Sequence, residues 1–417
     1  MTSTTVKINC MNLKPTGLDG AIPSTPSRWH TQFCLALGSL AFGGSRLKRC
    51  AIDDVTISLV KALEAMGAGF KISGDVCMVE GGLFHPRGDI DAAGNEDNLA
   101  ILAGVAANLP RTSRISFESR IKDSYSFINA LMALGVGISS QAHGRDSPWL
   151  IRGPTRHGGT HITGEVPPAY VCSLTLACLL RMRHCDILIS GLDHSRAMMA
   201  ITEDALTGFG VGVTTGLGNV RVSGSEPLRP STIRIMNDSE LAAYPLAAGA
   251  LCGRATVSGD MADEAVTSVM RALNTDVSTT RNRITVNASE LNGATIDLSR
   301  CPRSFPAIAV MATAAKGGTV LHSAKIPGRD IITPTVKMLR RMGCLARVTE
   351  DGAVIPHSDL KGIDHGHYED PLVAMAAVVA ACKATGDSEI GNPEICEYEY
   401  PGFLRHMSLL GLAMDDW

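Results

Sequence analysis

A chain of 417 residues, 45% hydrophobic and 19% charged, is too long for one ordinary core and too apolar to be disordered, so two folded domains are expected. A formal net charge of -3 and a pI near 6.5, with Lys and Arg scattered, exclude the electrostatic footprint of a nucleic-acid or anionic-membrane binder. The chain has no apolar run of about 18 residues and no apolar signal core after its first residues, so a cytoplasmic protein is expected. The expected partner is a small-molecule substrate, and the oligomeric state is left undetermined.

Taken in order, residues 5 to 13 (Thr-Val-Lys-Ile-Asn-Cys-Met-Asn-Leu) read as a strand with no helix of its own. The first full repeat then appears. Leu59 to Met66 carries apolar residues at helical spacing, Gly67 can take the left-handed conformation that ends a helix, and an alternating strand follows. The same grammar recurs with caps at Gly135, Gly210, Asn274, Gly343 and Gly411, which makes six copies. Each copy is preceded by a second helix that is apolar nearly all round: Gln32 to Phe42, Asn98 to Asn108, Tyr170 to Leu180, Leu241 to Leu251, Phe305 to Ala315 and Pro371 to Ala384. Such helices belong in a core, whereas the capped helices carry charge on one side and lie outside. With 4% aromatic residues the core is built from Ala, Leu, Val, Ile and Met, which suits close helix packing. Turn chemistry at Gly144-Arg-Asp, Gly216-Leu-Gly218 and Asp351-Gly352 marks hairpins after the caps.

The pattern predicts an α/β protein of six βαβαββ units, grouped three and three so that each unit buries its face against neighbours. The break falls in Gly224-Ser-Glu-Pro227-Leu-Arg-Pro230, with a second crossing in Thr16 to Pro23. The first strand completes the last unit, so one lobe spans 21–228, and the other combines 1–20 with 229–417. A double crossover near 16–23 and 224–231 is a hinge geometry that would put the site between the lobes. Twelve cysteines without CxxC pairs, lying mostly in apolar segments, read as reduced core residues. The histidines, His184, His194, His357, His365 and His367 among them, lack metal-ligand spacing, and the glycines are caps and hairpins rather than a nucleotide fingerprint. No metal and no cofactor are expected.

The sixfold pattern resembles the enolpyruvyl transferase superfamily, and its register is most similar to the EPSP synthase family. Four segments carry the likeness, in family order: Ala51-Ile-Asp53-Asp54-Val against Ser-Asp-Asp, Ala93-Gly94-Asn95 against Gly-Asn-Ala-Gly-Thr, Ser119-Arg120-Ile-Lys122-Asp123 against Pro-Arg-Met-Lys-Glu-Arg, and Asn237-Asp238-Ser239 with Tyr244 against Gly-Asp-Ala-Ser-Ser-Ala-Ser-Tyr. The resemblance implies a two-lobed EPSP synthase-like fold. It also implies a reaction in which a substrate hydroxyl adds to protonated phosphoenolpyruvate and phosphate is then eliminated.

At the positions that would serve this reaction the sequence departs from the family. The Lys-Ser-x-Ser-Asn-Arg stretch falls on Ser27 to Phe33, so Arg28 takes the lysine place or, with a gap, the arginine place. Glu96, Asp97 and Asn98 replace small residues, Ser124 replaces the second arginine of its motif, and Pro167-Pro168-Ala169 replaces a phosphate-binding Ser-Ser-Gln. Arg303 stands where the family has an aspartate base. The family's Arg-Val-Lys-Glu-Thr-Asp-Arg falls on Lys325 to Ile331, which keeps Asp330, places Arg329 on the threonine and loses the lysine, the glutamate and the second arginine; Glu369-Asp370-Pro371 replaces Asp-His-Arg, and Tyr398 takes the place of a late lysine.

The candidate catalytic residues are therefore Arg28, His30, Arg303 and Asp330, with His30 as acid or base. Candidate substrate contacts are Trp29 as an apolar wall, Asn95, Glu96, Asp97, Arg120, Ser195, Arg196, Arg329, Glu369 and Asp370. Structural readings stand beside these: caps for Asn95, Glu96 and Asp97, a solvated charge run for Arg120, Lys122 and Asp123, capping or hinge roles for Asp53 and Asp54, and an internal pair of Arg303 with Glu369 or Asp370. Because the replacements are polar rather than inert, the sequence points first to a rebuilt enzyme acting without phosphoenolpyruvate, by elimination or rearrangement of a small cyclic or shikimate-like compound. Carboxyvinyl transfer from phosphoenolpyruvate and a noncatalytic scaffold are the alternatives.

Overall fold

The glycine and asparagine caps adopt the backbone that their residue types permit. Gly67 ends its helix at φ 112° and Asn274 follows its helix at φ 63°, and the left-handed region recurs at Gly135, Gly210, Gly343 and Gly411. The computed structural model describes residues 10–14, 16–82, 89–117, 124–140, 147–164, 166–179, 184–190, 196–216, 218–223, 227–259, 264–364 and 366–414. The chain forms two compact units, residues 26–236 and residues 1–25 with 237–417.

β1 (Cys10–Lys14) and β2 (Leu18–Pro23) precede the 26–236 unit. That unit begins with α1 (Arg28–Leu40), β3 (Gly43–Lys48), α2 (Asp54–Met66), β4 (Gly69–Ser73) and β5 (Val76–Gly81). Its second repeat is β6 (Ile90–Asp91), α3 (Glu96–Ala106), β7 (Ser113–Ser116), α4 (Ser124–Ala133), β8 (Gly137–Ser139) and β9 (Trp149–Arg152). The third is β10 (Gly159–Thr163), α5 (Pro168–Ala177), β11 (Cys185–Ser190), α6 (Arg196–Gly208), β12 (Gly212–Gly216) and β13 (Asn219–Ser223). β14 (Thr232–Arg234) then returns to pair in parallel with β3, which gives the first repeat the leading strand it lacks in sequence. The three sheets run β14-β3-β5-β4, β6-β7-β9-β8 and β10-β11-β13-β12.

The other unit is built in the same way. α7 (Ser239–Cys252), β15 (Gly253–Ser258), α8 (Ala265–Ala272), β16 (Asp276–Thr280) and β17 (Arg283–Asn287) form its first repeat, whose leading strand is β2, paired in parallel with β15. The second is β18 (Thr295–Asp297), a 3-10 turn at Pro302–Ser304, α9 (Phe305–Ala314), β19 (Gly318–His322), α10 (Ile332–Arg341), β20 (Arg347–Val348) and β21 (Ala353–Pro356). The last is α11 (Pro371–Lys383), β22 (Ser388–Gly391), α12 (Ile395–Glu399), α13 (Phe403–Leu409) and β23 (Ala413–Met414), and β1 lies between β22 and β23. This repeat differs from the others: a bridge between Gly366 and Ile390 replaces its leading strand, and its outer helix is split in two.

The inner helices are the cores. Every residue is buried over Trp29–Leu40 of α1, Leu241–Leu251 of α7 and Leu372–Cys382 of α11. Small side chains make the approach possible: a Cβ on Gly104 of α3 would stand 2.6 Å from the Ser173 carbonyl oxygen of α5, so only glycine permits that contact. The start of each inner helix is consequently fixed in place, and the polar residues at these starts are where a site can be built. Among the described residues no helix is long and apolar enough to cross a membrane.

Candidate active site

In the 26–236 unit the residues at the start of α1 turn inward. Trp29 is 7% exposed and belongs to the core. Its Nε1–H donates to Thr202 Oγ1 at 3.0 Å, and that hydroxyl donates to the Met198 carbonyl at 2.8 Å, which ties α1 to α6. His30 is completely buried. Its Nδ1 accepts the Met236 backbone N–H at 3.0 Å, so the neutral ring carries its proton on Nε2, which lies 3.5 Å from Asp204 Oδ2 and makes no hydrogen bond among the described residues. Burial pushes the pKa of His30 down to about 4. The expected apolar wall of a substrate site at Trp29 and the acid or base at His30 thus differ from the structure, which buries both side chains. Trp29 is a packing residue, and His30 is a neutral pin on the 235–236 segment.

We expect Trp29→Phe, which removes the indole N–H and part of the core volume, to lower the unfolding free energy in urea by about 1–2 kcal/mol. A wall residue facing solvent would give no such loss.

Arg28, half-way between surface and core, donates from Nε to Asp53 Oδ2 at 2.6 Å. Asp53 is also the N-cap of α2, accepting from Thr56 N–H at 2.8 Å. Asn95 caps α3 by accepting from Asn98 N–H at 2.9 Å, and Glu96 in the first turn accepts a hydrogen bond from Tyr170 of α5. Asp97, beside it, is partly buried. Below them Gln32 donates to Asn98 Oδ1 at 2.9 Å, and Asn98 donates to the Val55 carbonyl at 3.1 Å, a buried polar link from α1 through α3 to α2.

The other unit gathers the charged groups. Arg303, in the turn before α9, donates from Nη1 to Asp238 Oδ2 at 2.8 Å and from Nη2 to Glu399 Oε1 at 2.6 Å. Its backbone N–H donates to Glu240 Oε2 at 2.7 Å, and its carbonyl accepts from the Tyr244 hydroxyl at 2.9 Å. Arg329 holds Asp370 through two parallel bonds, Nε to Oδ2 at 2.7 Å and Nη2 to Oδ1 at 3.1 Å, and reaches Glu399 Oε2 from Nη1 at 3.3 Å. Burial works against the charge of both guanidiniums, but the surrounding carboxylates outweigh it and raise both pKa values. Asp238 and Asp370 are in turn the N-caps of α7 and α11.

The partner expected for Arg303 is therefore corrected. Asp370 belongs to Arg329, Glu369 is exposed, and Arg303 is held by Asp238 and Glu399. Asp330 is exposed and caps α10, accepting from the N–H groups of Ile332 and Thr333 at 3.0 Å each. Glu399 escaped the reading of the sequence because Tyr398, beside it, drew the comparison with the family's lysine. Arg120, Lys122, Asp123, Ser195, the Arg196 side chain, His194, His365, residues 5–9, the turn at 144–146, Leu217 and residues 224–226 lie outside the described residues. Among the described residues no group of His, Cys, Asp and Glu side chains is placed to hold a metal ion.

Two units of three α/β repeats, each built round three buried inner helices, make up the fold of the enolpyruvyl transferase class. The profile of the family described as EPSP synthase (3-phosphoshikimate 1-carboxyvinyltransferase) matches residues 13–407. The 3-phosphoshikimate 1-carboxyvinyltransferase of Methanocorpusculum labreanum is 28% identical over 412 residues, covering 95% of this chain and 97% of that protein. The enzyme of the same name from Methanothrix thermoacetophila is 30% identical over 415 residues, covering 96% and 98%. Among solved structures, EPSP synthase from Acinetobacter baumannii has a TM-score of 0.84 at 18% identity, covering 97% of this chain and 99% of that one. The enolpyruvyl transferase NikO from Streptomyces tendae has a TM-score of 0.81 at 15% identity, covering 97% and 98%. The chain belongs to the EPSP synthase family, a family of enzymes.

This overturns the expectation drawn from the altered motifs. Elimination or rearrangement without phosphoenolpyruvate does not stand, because relatives that align with nearly the whole chain carry the name of a carboxyvinyltransferase.

Proposed function

We propose that the protein transfers a carboxyvinyl group from phosphoenolpyruvate to a hydroxyl of a cyclic acid of the 3-phosphoshikimate type. The observation that carries this reading is the near-full-length relation to enzymes of that name, at 28% and 30% identity. In this reaction the acceptor hydroxyl gives up its proton to a carboxylate as its oxygen bonds to C2 of phosphoenolpyruvate and C3 takes a proton. The tetrahedral intermediate then breaks its C2–O bond to phosphate and gives up a C3 proton, which restores the double bond. The chemistry calls for cations to hold carboxylate and phosphate groups, and for carboxylates able to move protons. Arg303 and Arg329 supply the first, with side chains 26% and 30% exposed, and the adjoining carboxylates are suited to the second.

The test is release of inorganic phosphate from phosphoenolpyruvate in the presence of 3-phosphoshikimate. Phosphate release that requires both compounds is the expected result. No release, together with no shift of thermal unfolding by either compound at millimolar levels, overturns the reading.

A further inference from the structure

We propose that the outward face of the sheet β14-β3-β5-β4 is a docking surface for an acidic, extended polypeptide segment of a partner protein. The proposal does not depend on the carboxyvinyl-transfer reading.

Strand alternation turns Ser45 and Leu47 of β3 inward and leaves Arg46 and Lys48 on the outer side. The register of the sheet then sets cation beside cation. Arg234 of β14 stands directly opposite Lys48 in the parallel pair, and Lys71 of β4 lies in the row of Arg46, beyond Met78 of β5. Neighbouring strands are about 4.8 Å apart, so Arg234 and Lys48 leave the sheet side by side, and Lys71 stands about 10 Å from Arg46. Arg46, Lys71 and Arg234 are exposed and Lys48 is half-buried. Like charges placed opposite one another across strands cost stability.

The chain does not offset that cost within the sheet. Arg221 of β13, Arg114 of β7 and Lys316 are exposed cations held by Asp186, Asp89 and Glu290. Arg46, Lys48, Lys71 and Arg234, by contrast, make no side-chain hydrogen bond or ion pair among the described residues. The acids of the same sheet lie to its sides: Glu80 is in the row of Gly44, and Asp75 is in the turn between β4 and β5. Arg49, directly after Lys48, adds to the field, since burial and the charge of Arg234 lower its pKa while Asp75 raises it. A chain with a formal net charge of -3 thus concentrates positive charge on one outward face.

The spacing of the charges defines the occupant. Arg46 and Lys48 are two residues apart along β3, about 6.6 Å, which is the distance between successive side chains on one side of an extended chain. A segment with acids at alternate positions meets both, with Arg234 and Lys71 to either side. Met78, 42% exposed between Arg46 and Lys71, adds an apolar contact. The outward rows carry no aromatic side chain on which a base could stack, which favours a polypeptide over a single-stranded nucleic acid.

Fluorescence anisotropy of a labelled peptide of about twelve residues, alternating Glu and Thr and titrated with the full chain at low ionic strength, tests this. Binding is expected. Its Kd should rise about tenfold or more in Arg46→Gln combined with Arg234→Gln, and stay close to the wild-type value in Arg46→Lys combined with Arg234→Lys. It should also be unchanged in Lys61→Gln, which removes an exposed cation from α2 of the same unit. No binding of the peptide, or a loss in Lys61→Gln as large as in the double Gln variant, overturns the proposal. So does tighter binding of a single-stranded oligonucleotide of equal charge, which would make the face a nucleic-acid surface instead.

Discussion

Arg303→Met is expected to lower the unfolding free energy by about 3 kcal/mol in urea denaturation near neutral pH, because removing one member of an enclosed ion network strands its partners. The guanidinium binds Asp238, which is 6% exposed, and Glu399, which is 10% exposed, and Glu240 lies on the backbone N–H of the same residue. Methionine matches the length of the side chain and keeps the backbone N–H on Glu240, but it takes the guanidinium from between Asp238 and Glu399, which then repel one another in a site with little water. The loss should be partly recovered in Arg303→Met combined with Glu399→Gln, and the coupling between the two changes is the measurement that isolates the network. If the double variant is as unstable as the sum of the single ones, Arg303 acts through packing alone. The exposed pair Arg221–Asp186 serves as the contrast, since solvent already screens it and Arg221→Met should leave stability nearly unchanged.

The fold was legible because its signals are local. A helix that ends in glycine or asparagine and switches to a period of two needs only about a dozen contiguous residues to be seen, and every such cap lies in the left-handed region. The network was only half legible. Arg303 and Arg329 stood out as charges at helix starts, but Arg303 meets Asp238 across 65 positions and Glu399 across 96. Those pairings are set by which inner helix starts converge, and no spacing rule within one segment states that. His30 was misjudged for a different reason. A polar residue at the start of an inner helix looks available, yet His30 stands one helical turn before Cys34, within a stretch of α1 that is buried throughout.

That burial has its own consequence in acid. His30 has a folded-state pKa of about 4 against an ordinary value of 6.5, so the unfolded chain takes up its proton first as the pH falls. The stability tied to the neutral ring is full above about pH 6.5, declines between 6.5 and 4, and is lost below 4. The gap corresponds to about 3 kcal/mol at the ordinary 1.36 kcal/mol per pH unit. The titratable groups facing the ring do not reverse this. Asp204, 3.5 Å from Nε2, has its own pKa raised by burial, and Cys34 is held as the neutral thiol. Asparagine at position 30 can accept the Met236 N–H in place of Nδ1 without titrating. Urea denaturation from pH 7 to pH 4 should therefore give a steeper fall in stability for the wild type than for His30→Asn, by close to one proton per molecule across that window. Equal slopes would mean that the acid sensitivity of the fold lies elsewhere and that the imidazole is charged when folded.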